Sequence, residues 1–520
     1  MFKAKSNSLV FQTTIIYLLC FTAVLGLYSN NSEAVVTGEM DYIFHGANII
    51  TIDELNPIAD AIAIQAEAIV AVGADEEILE IYHTENPSNT IDLNGLTIMP
   101  GFVDGHTHLL FSTVWTGLID LTAAQDIALS YGYTTIVEKS AWEWDLEPVL
   151  AADQAGDLRL RVNMFPSYNS AHLNEQGETI ICETWYPDRS PILTHDAMLR
   201  VPGIKIFTDG AGVPGRGAPA MSWPYPPELM EGEYESVTDN EYGDLYLEQQ
   251  ELNIAAKNIQ DAGFRVAFHA CGDRAIETVM NATEFALDGE SNSVHRHQIE
   301  HGFLRPDLIT RAKQLGTLHS VRGYFPTYWQ EWYEDMINET IQWKMNRYSL
   351  PEEGIHAYWE SDFSWNNYGD NSTSANINPF LHLWGYVTRS AIDENGTIHR
   401  PRHWVAEHEI SVEQALRMMT IDAAYIVSQE DYIGTLESGK FADLIVLSDS
   451  PLDVHADELK DLEVYLTMVG GKIEFVKDGS GLEELLPPPP SSLLIPTLVV
   501  IAVIPFAALV VFKVIRKNRP

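Results

Sequence analysis

The middle of the chain alternates short runs of apolar and β-branched residues with longer stretches of helical spacing. This alternation limits the possible folds more than any other feature of the sequence. The first apolar run ends at residue 108, and the others span residues 133–138, 158–165, 203–208, 264–270, 296–302, 317–323 and 356–362. Helices are predicted at residues 244–261, 273–287 and 306–315. Eight strand–helix units predict a (β/α)8 barrel, an α/β fold, although alternation alone would equally allow an open, doubly wound sheet.

Both flanks of this region are predicted to be all-β. Residues 61–73 predict a hairpin with its turn near Ala66 and Glu67. Residues 442–447, 464–468 and 472–476 predict strands near the other end of the chain. We therefore expect one small β-sandwich, built from residues 34–99 and 429–479, beside a barrel at residues 100–428.

The two termini have the pattern of membrane-directed segments. Lys3 and Lys5 precede an apolar run at residues 15–27, which predicts a signal peptide or an N-terminal anchor within residues 1–33. A proline-rich linker at residues 480–491 leads into an apolar run that predicts a transmembrane helix at residues 492–513. The basic tail at residues 514–520 indicates a cytoplasmic C-terminus. We expect a protein of the cell membrane whose main domain is extracellular.

Composition excludes several classes of protein. The chain has 74 acidic and 31 basic side chains, a formal net charge of -43, and such a surface repels nucleic acid. No glycine-rich phosphate loop follows the first strand, so nucleotide binding is unsupported. The cysteines are Cys20, Cys182 and Cys271, too few for a disulfide framework, and the pairing of the last two stays open.

Side chains suited to metal binding occur where the predicted strands end. In a parallel barrel these carboxyl ends meet at one face of the molecule, where the chemistry of such proteins is carried out. The first strand ends in a His-x-His pair, whose imidazoles point to the same side of an extended chain. Neutral imidazole is a ligand suited to zinc and its first-row neighbours. The converging residues are His106, His108, Lys205, His269, His301 and Asp362.

Five segments of the sequence form a specific combination. They are residues 100–108 (PGFVDGHTH), 204–210 (IKIFTDG), 297–301 (HQIEH), 361–362 (SD) and 434–447 (GTLESGKFADLIVL). With these segments the chain resembles the amidohydrolase superfamily and, more closely, amidohydrolase family 3, over about residues 41–476. Members of this family are metal-dependent amide hydrolases. The resemblance implies the same barrel and split β-sandwich.

The resemblance also implies roles for the converging side chains. One metal ion would be bound by the His-x-His pair and Asp362, and a second by His269 and His301. Lys205 would bridge the two ions, for which zinc is the first choice, as its N-carboxylated form. A hydroxide shared by two metal ions would attack the substrate, with Asp362 as general base and then general acid. The implied activity is hydrolysis of an amide or other non-peptide C–N bond in a small molecule.

Several alternatives stay open. Arg216, in the Pro/Gly-rich loop at residues 210–240, is a candidate for binding a substrate carboxylate or carbonyl, and equally fits an ordinary solvated arginine. A mononuclear deaminase of the same superfamily would place a glutamate just after His269, where Ala270 and Cys271 stand. A non-catalytic surface binding protein on the same barrel is the third reading. The substrate, the metal and the oligomeric state are not determined by the sequence.

Overall fold

A computed structural model describes residues 39–173, 179–181, 186–210, 217–225, 240–302, 304–324, 349–364, 377–392, 396–401 and 406–486. The predicted signal peptide or anchor, transmembrane helix and basic tail lie outside these residues, as do Arg216 and Cys182. Among the helices of the described ranges, none has both the length and the apolar character needed to cross a membrane. The predicted domain boundaries remain predictions.

The described elements begin and end as follows. The strands are β1 (Glu39–Met40), β2 (Tyr42–His45), β3 (Asn48–Ile50), β4 (Ile58–Ala59), β5 (Ala61–Gln65), β6 (Ala68–Gly73), β7 (His83–Thr84), β8 (Thr90–Asp92), β9 (Thr97–Pro100), β10 (Phe102–Thr107), β11 (Tyr133–Ala141), β12 (Arg161–Pro166), β13 (Asn169–Leu173), β14 (Thr179–Ile181), β15 (Leu199–Arg200), β16 (Gly203–Phe207), β17 (Arg265–Ala270), β18 (Gln298–His301), β19 (Leu318–Val321), β20 (His356–Trp359), β21 (Ala391–Ile392), β22 (Ile398–His399), β23 (Leu444–Leu447), β24 (Val464–Val469) and β25 (Lys472–Val476). The α-helices are α1 (Asp75–Ile81), α2 (Leu109–Thr116), α3 (Leu121–Ser130), α4 (Glu143–Ala155), α5 (Gln249–Asp261), α6 (Asp273–Leu287), α7 (Asn292–His295), α8 (Ile309–Leu315), α9 (Pro379–Thr388), α10 (Val412–Met418), α11 (Ile421–Ile426) and α12 (Leu482–Leu485). Short 3-10 helices occur at Pro87–Asn89, Pro306–Leu308 and Ala456–Asp461.

Strands from both ends of the described chain form two sheets that share one apolar core. One sheet has the order β6-β5-β2-β8 and the other β25-β24-β23-β9-β3-β4. Ile64 of the first sheet and Ile98 and Val446 of the second belong to the same buried cluster. The predicted hairpin is present as β5 and β6, and Ala66 takes the left-handed backbone conformation at its turn, with φ 52°.

The central parallel strands form two sheets, which we call the first and second arcs. The first arc has the order β10-β11-β12-β15 and the second β16-β17-β18-β19-β20. A few backbone hydrogen bonds join their ends, from Tyr168 N to Lys205 O at 2.7 Å at one junction, and from Asp362 N to His106 O at 2.9 Å and His108 N to Phe363 O at 2.8 Å at the other. The predicted α/β class is confirmed, but the described residues do not form one closed ladder. At the second junction Asp362 has φ 49°, so the chain there has left the extended conformation that a ladder needs.

Most predicted elements are present with small shifts in their ends. Helix α6 has the bounds predicted for it, Asp273–Leu287. Helix α5 begins later than predicted because Glu248 and Glu251 form a capping box at its start. The predicted helix at residues 306–315 begins as a 3-10 turn at Pro306 and becomes α-helical at Ile309.

Candidate functional site

The first ligand group consists of His106, His108 and Asp362, where β10 meets the chain after β20. The Nε2 atoms of the two histidines are 3.3 Å apart. Asp362 Oδ1 lies 3.2 Å from His108 Nε2 and 3.5 Å from His106 Nε2. Ligand atoms on one tetrahedral zinc ion, with bonds of about 2.0–2.1 Å, are about 3.3–3.4 Å apart. The three atoms therefore have the spacing of one face of such a coordination shell, and these residues fit a metal ion.

The backbone around this group leaves little freedom of movement. Gly105 packs against β20, since a Cβ atom added to it would lie 2.4 Å from a ring carbon of Tyr358. The buried carboxylate of Asp104 accepts hydrogen bonds from His106 N at 3.2 Å and Ser361 N at 3.0 Å, which joins the two ligand-bearing segments. Burial raises the pKa of Asp104 to about 7, against the lowering effect of these hydrogen bonds. The site is thus built into the packing of the strands.

The ligand side chains are oriented by partners behind them. His108 Nδ1 lies 2.8 Å from the carbonyl oxygen of Lys139, so its Nε2 faces the ligand group. Asp362 Oδ2 accepts a hydrogen bond from Arg322, which leaves Oδ1 toward the histidines. Burial opposes ionisation of Asp362, but Arg322 outweighs it and, with His108 and His301, holds the pKa of Asp362 well below its usual value. Asp362 is therefore a carboxylate in this fold.

Two of the predicted ligands have a strained backbone. His301 has φ 72° and Asp362 has φ 49°, in the left-handed region that residues other than glycine rarely adopt. Such conformations cost about 1–3 kcal/mol each and persist where the surrounding structure enforces them, often at functional sites. Each residue ends or follows a parallel strand. The left-handed backbone there ends the extended conformation and directs the side chain toward the centre of the site.

A buried group of charges lies beneath the histidines. Glu300 contacts Lys205 Nζ with one carboxylate oxygen and lies 3.1 Å from Lys139 Nζ with the other. The oxygen that faces Lys205 is also 3.3 Å from His106 Nδ1, and all four side chains are almost fully buried. Burial, followed by the charge of Lys139, lowers the pKa of Lys205 well below its usual value. A lysine with a lowered pKa is available as a neutral amine.

The remaining two predicted ligands lie next to this group. The imidazole rings of His269 and His301 have centroids 4.9 Å apart, and those of His301 and His106 are 4.6 Å apart. His301 Nδ1 lies 2.9 Å from a carboxylate oxygen of Glu360. Burial, then neighbouring cations, lowers the pKa of His269 and of His106 well below the usual value, which favours the neutral imidazole that binds metals.

The structure therefore brings the six predicted ligands into one cluster, while Arg216 lies outside the described residues. Other charged side chains of the cluster were not predicted from the sequence. Some of them had a signal, because polar residues two positions apart on a strand point to the same side. Asp104 precedes His106 by two positions, and Glu360 precedes Asp362 by two. The missed residues are Asp104, Lys139, Asp209, Glu300, Arg322 and Glu360.

A sequence profile described as "Amidohydrolase family" matches residues 120–475, well over half of the chain. The chain therefore belongs to the amidohydrolase family, and the resemblance of the sequence to that family is confirmed. The N-substituted formamide deformylase of Arthrobacter pascens is 25% identical over 287 residues, which cover 54% of this chain and 47% of that protein. The chain spans about half the length of this relative. Family membership supports the predicted enzyme class, a hydrolase of carbon–nitrogen bonds.

Solved structures share the fold. An uncharacterized metal-dependent hydrolase from Pyrococcus horikoshii OT3 superposes with a TM-score of 0.60 at 17% identity, covering 80% of this chain and 99% of that one. A prolidase complexed with N-methylphosphonate-L-proline superposes with a TM-score of 0.52 at 17% identity, covering 84% of this chain and 100% of that one. At these identities the likeness concerns the α/β fold alone.

Proposed function

We propose that this chain is a metal-dependent hydrolase of amide or other non-peptide C–N bonds in small molecules. The observation that carries the proposal is the triangle of His106, His108 and Asp362, whose ligand atoms are 3.2–3.5 Å apart. Family membership and the named activity of the formamide deformylase support it. We infer that the two arcs act as one (β/α)8 barrel, with the triangle at the carboxyl ends of its strands.

Two divalent metal ions, with zinc as the first choice, complete the proposed site. The triangle would bind one ion, and His269, His301 and Lys205 would bind the second. When bound, such ions lower the pKa of water and polarise the carbonyl of a substrate. The buried, neutral imidazoles supply nitrogen lone pairs without competing protons. Beneath the triangle, His106 and Lys205 are almost fully buried, which keeps bulk water from that side of the site.

Asp362 is the proposed proton carrier. Its pairing with Arg322 keeps it ionised, and only the ionised carboxylate can accept the proton of an attacking water. After attack the same carboxyl oxygen returns the proton to the leaving nitrogen, so that the amine departs neutral. Asp362 is 30% exposed, whereas His106 is 1% exposed, and the carboxylate is therefore the ligand nearest to an incoming substrate.

Lys205 is the proposed bridging ligand in its N-carboxylated form. The neutral amine attacks carbon dioxide, an N–C bond forms and one amine proton leaves, which gives a carbamate anion. Glu300 contacts the Lys205 amine and is placed to accept that proton. A carbamate is a hard oxygen ligand for two cations, whereas a lysine ammonium would repel both of them.

The location of the protein is a further proposal. The apolar run at residues 492–513 with its basic tail supports anchoring in the cell membrane with the main domain extracellular. The formal net charge of -43 fits a domain that faces solution and binds no nucleic acid.

Elemental analysis of the full-length chain tests the proposal. We expect about two metal ions per chain in the wild type and one or none in Lys205→Ala, with loss of hydrolysis of N-substituted formamides and N-acyl amino acids. Lys313→Ala, at a half-exposed lysine on α8, is the matched control and should keep both ions. One ion that is unaffected by Lys205→Ala would contradict the carboxylated bridge. A wild type that binds no metal would contradict the hydrolase.

A further inference from the structure

We propose that Cys271 supplies a thiolate ligand to the metal ion expected at His269, so that the second metal position is a mixed nitrogen–sulfur site. The inference rests on the proposed metal-dependent function and specifies the ligands of its second ion. Cys271 directly follows β17, two positions after His269, and it forms no disulfide within the described part of the chain. A mononuclear deaminase would have a glutamate just after His269, whereas this chain has Ala270 and Cys271 there.

The distance between the two side chains is the first argument. Cys271 Sγ lies 3.4 Å from His269 Nε2. On a tetrahedral zinc ion the bonds are about 2.0–2.1 Å to nitrogen and about 2.3 Å to sulfur, which separates the two ligand atoms by about 3.5 Å. His269 is 5% exposed and also hydrogen-bonds the backbone of Gly210, a contact of the kind that orients a metal-binding imidazole.

The turn that carries Cys271 is the second argument. The buried carboxylate of Asp209 accepts hydrogen bonds from Cys271 N at 2.9 Å and from Gly272 N at 2.8 Å. It also accepts one from Ala220 N at 2.8 Å. A Cβ atom on Gly272 would lie 1.9 Å from the carbonyl oxygen of Ala220, so only glycine fits there. These contacts hold the turn in one conformation and place the thiol beside the imidazole.

Asp209 lies beside the same two side chains. Asp209 Oδ1 lies 3.8 Å from His269 Nε2, and the ligand atoms of Asp209, His269 and Cys271 all lie within 4.8 Å of one another. Asp209 already accepts three backbone hydrogen bonds, so we assign it the role of positioning Cys271. The ring of His301 lies on the other side of His269, with the two ring centroids 4.9 Å apart.

A sulfur ligand changes which metal the site prefers. Thiolate is a soft ligand that selects zinc, cobalt or cadmium over magnesium and manganese. The first ligand group offers only nitrogen and oxygen atoms. The two metal positions would therefore differ in preference, and the second would be sensitive to thiol oxidation.

The test replaces the metal of the full-length protein with cobalt(II) under reducing conditions. Thiolate-bound cobalt gives a near-ultraviolet charge-transfer band that nitrogen and oxygen ligands do not give. We expect the band in the wild type and in the control Cys182→Ser, and its loss in Cys271→Ser and Cys271→Asp. Zinc should dissociate from the second position at least about tenfold more readily in Cys271→Ser. Cys271→Asp, which keeps an anionic ligand, should retain two metal ions without the band.

The outcomes separate this inference from the proposed function. A wild type that binds two cobalt ions without the band would overturn the thiolate ligand and leave the hydrolase intact. An undiminished charge-transfer band in Cys271→Ser would also overturn the thiolate ligand and leave the hydrolase intact. A wild type that binds no metal at all would overturn both proposals.

Discussion

Buried histidines occur at both ends of the parallel strands, and their surroundings differ. His297 lies just before β18, at the amino end, whereas His106 lies at the carboxyl end of β10. Both are almost fully buried, and burial lowers the pKa of each. His297 Nδ1 accepts a hydrogen bond from Val266 N at 3.0 Å, and its Nε2 lies 2.8 Å from Gln260 Oε1. His106 instead directs Nε2 toward His108 and Asp362.

The comparison shows how to distinguish a structural histidine from a ligand. Both nitrogens of His297 are bonded to the fold, so its tautomer is fixed with the proton on Nε2, and neither nitrogen offers a lone pair. His106 Nδ1 lies 3.3 Å from a carboxylate oxygen of Glu300, and Nε2 faces atoms that are themselves proposed metal ligands. Burial and pKa alone would place the two residues in the same class. The identity of the atoms around each nitrogen separates them.

The largest expected effect is on activity at the carboxyl end. His106→Asn should lower kcat/KM at least about a thousandfold, because a ligand of the proposed metal ion is lost. The free energy of unfolding of the metal-free protein should change by no more than about 1 kcal/mol, because an asparagine amide can replace Nδ1 of His106 as the polar group beside Glu300. Steady-state kinetics, metal analysis and urea unfolding measure these quantities. A His106→Asn variant that is stable, binds its metal and stays active would contradict the assignment of His106 as a metal ligand.

The converse substitution should affect stability alone. His297→Ala leaves Val266 N–H and Gln260 without their buried partner and opens a cavity, which should lower the free energy of unfolding by about 2–4 kcal/mol. The specific activity of the folded molecules should stay at the wild-type level. His295→Ala, at a half-buried neighbour that contacts Glu290, is the control and should cost less than about 1 kcal/mol. Loss of metal in His297→Ala would show that the amino ends of the parallel strands affect the proposed metal site at their carboxyl ends.

The smallest effect is a difference in pH dependence. The pKa of His297 is lowered to about 3 by burial, then by His295 and Arg265. Unfolded histidine has a pKa of about 6.5, so below that pH the unfolded chain takes up the proton and the wild type loses stability as the pH falls. The His297→Ala variant has no histidine at this position, so it does not lose stability in this way as the pH falls. The stability gap between them should shrink by up to about 1.4 kcal/mol per pH unit below 6.5. A stability difference between the wild type and the variant that is the same at pH 7 and at pH 5 would contradict the assignment of His297 as neutral in the folded protein.

Local patterns predicted most of the central strands and the positions of the six candidate ligand residues. Runs of β-branched residues predicted strands that the structure contains, and the start of one was placed too early because Arg296 has φ 58° and cannot extend β18. The His-x-His pair stands at the end of β10 and Lys205 lies within β16, so their positions in the chain indicated their positions in space. Predictions that depend on local spacing therefore agree with the structure.

The partners of the ligands required the three-dimensional register. Glu300 lies opposite His269 in the pairing of β17 with β18, and no sequence separation indicates this. Arg322 reaches Asp362 from the residue after β19, and Asp209 reaches the Cys271 turn from the segment after β16. Closure of the arcs depends on backbone angles such as that of Asp362, which residue type does not reveal. The predictions for Arg216 and for both termini concern segments outside the described residues.

The pairing of β9 with β23 has a consequence for protein synthesis. β9 leads directly into β10 and its ligands, yet its partner strand lies near the other end of the described chain, with Met99 opposite Ile445. A ribosome adds about 5–20 residues per second, so β9 waits roughly 20–70 seconds before β23 has been made. During that time the edge of β9 is open to wrong partners. A chain terminated before Leu444 would lack the strand that holds β9, and its ligand residues would be translated without being assembled.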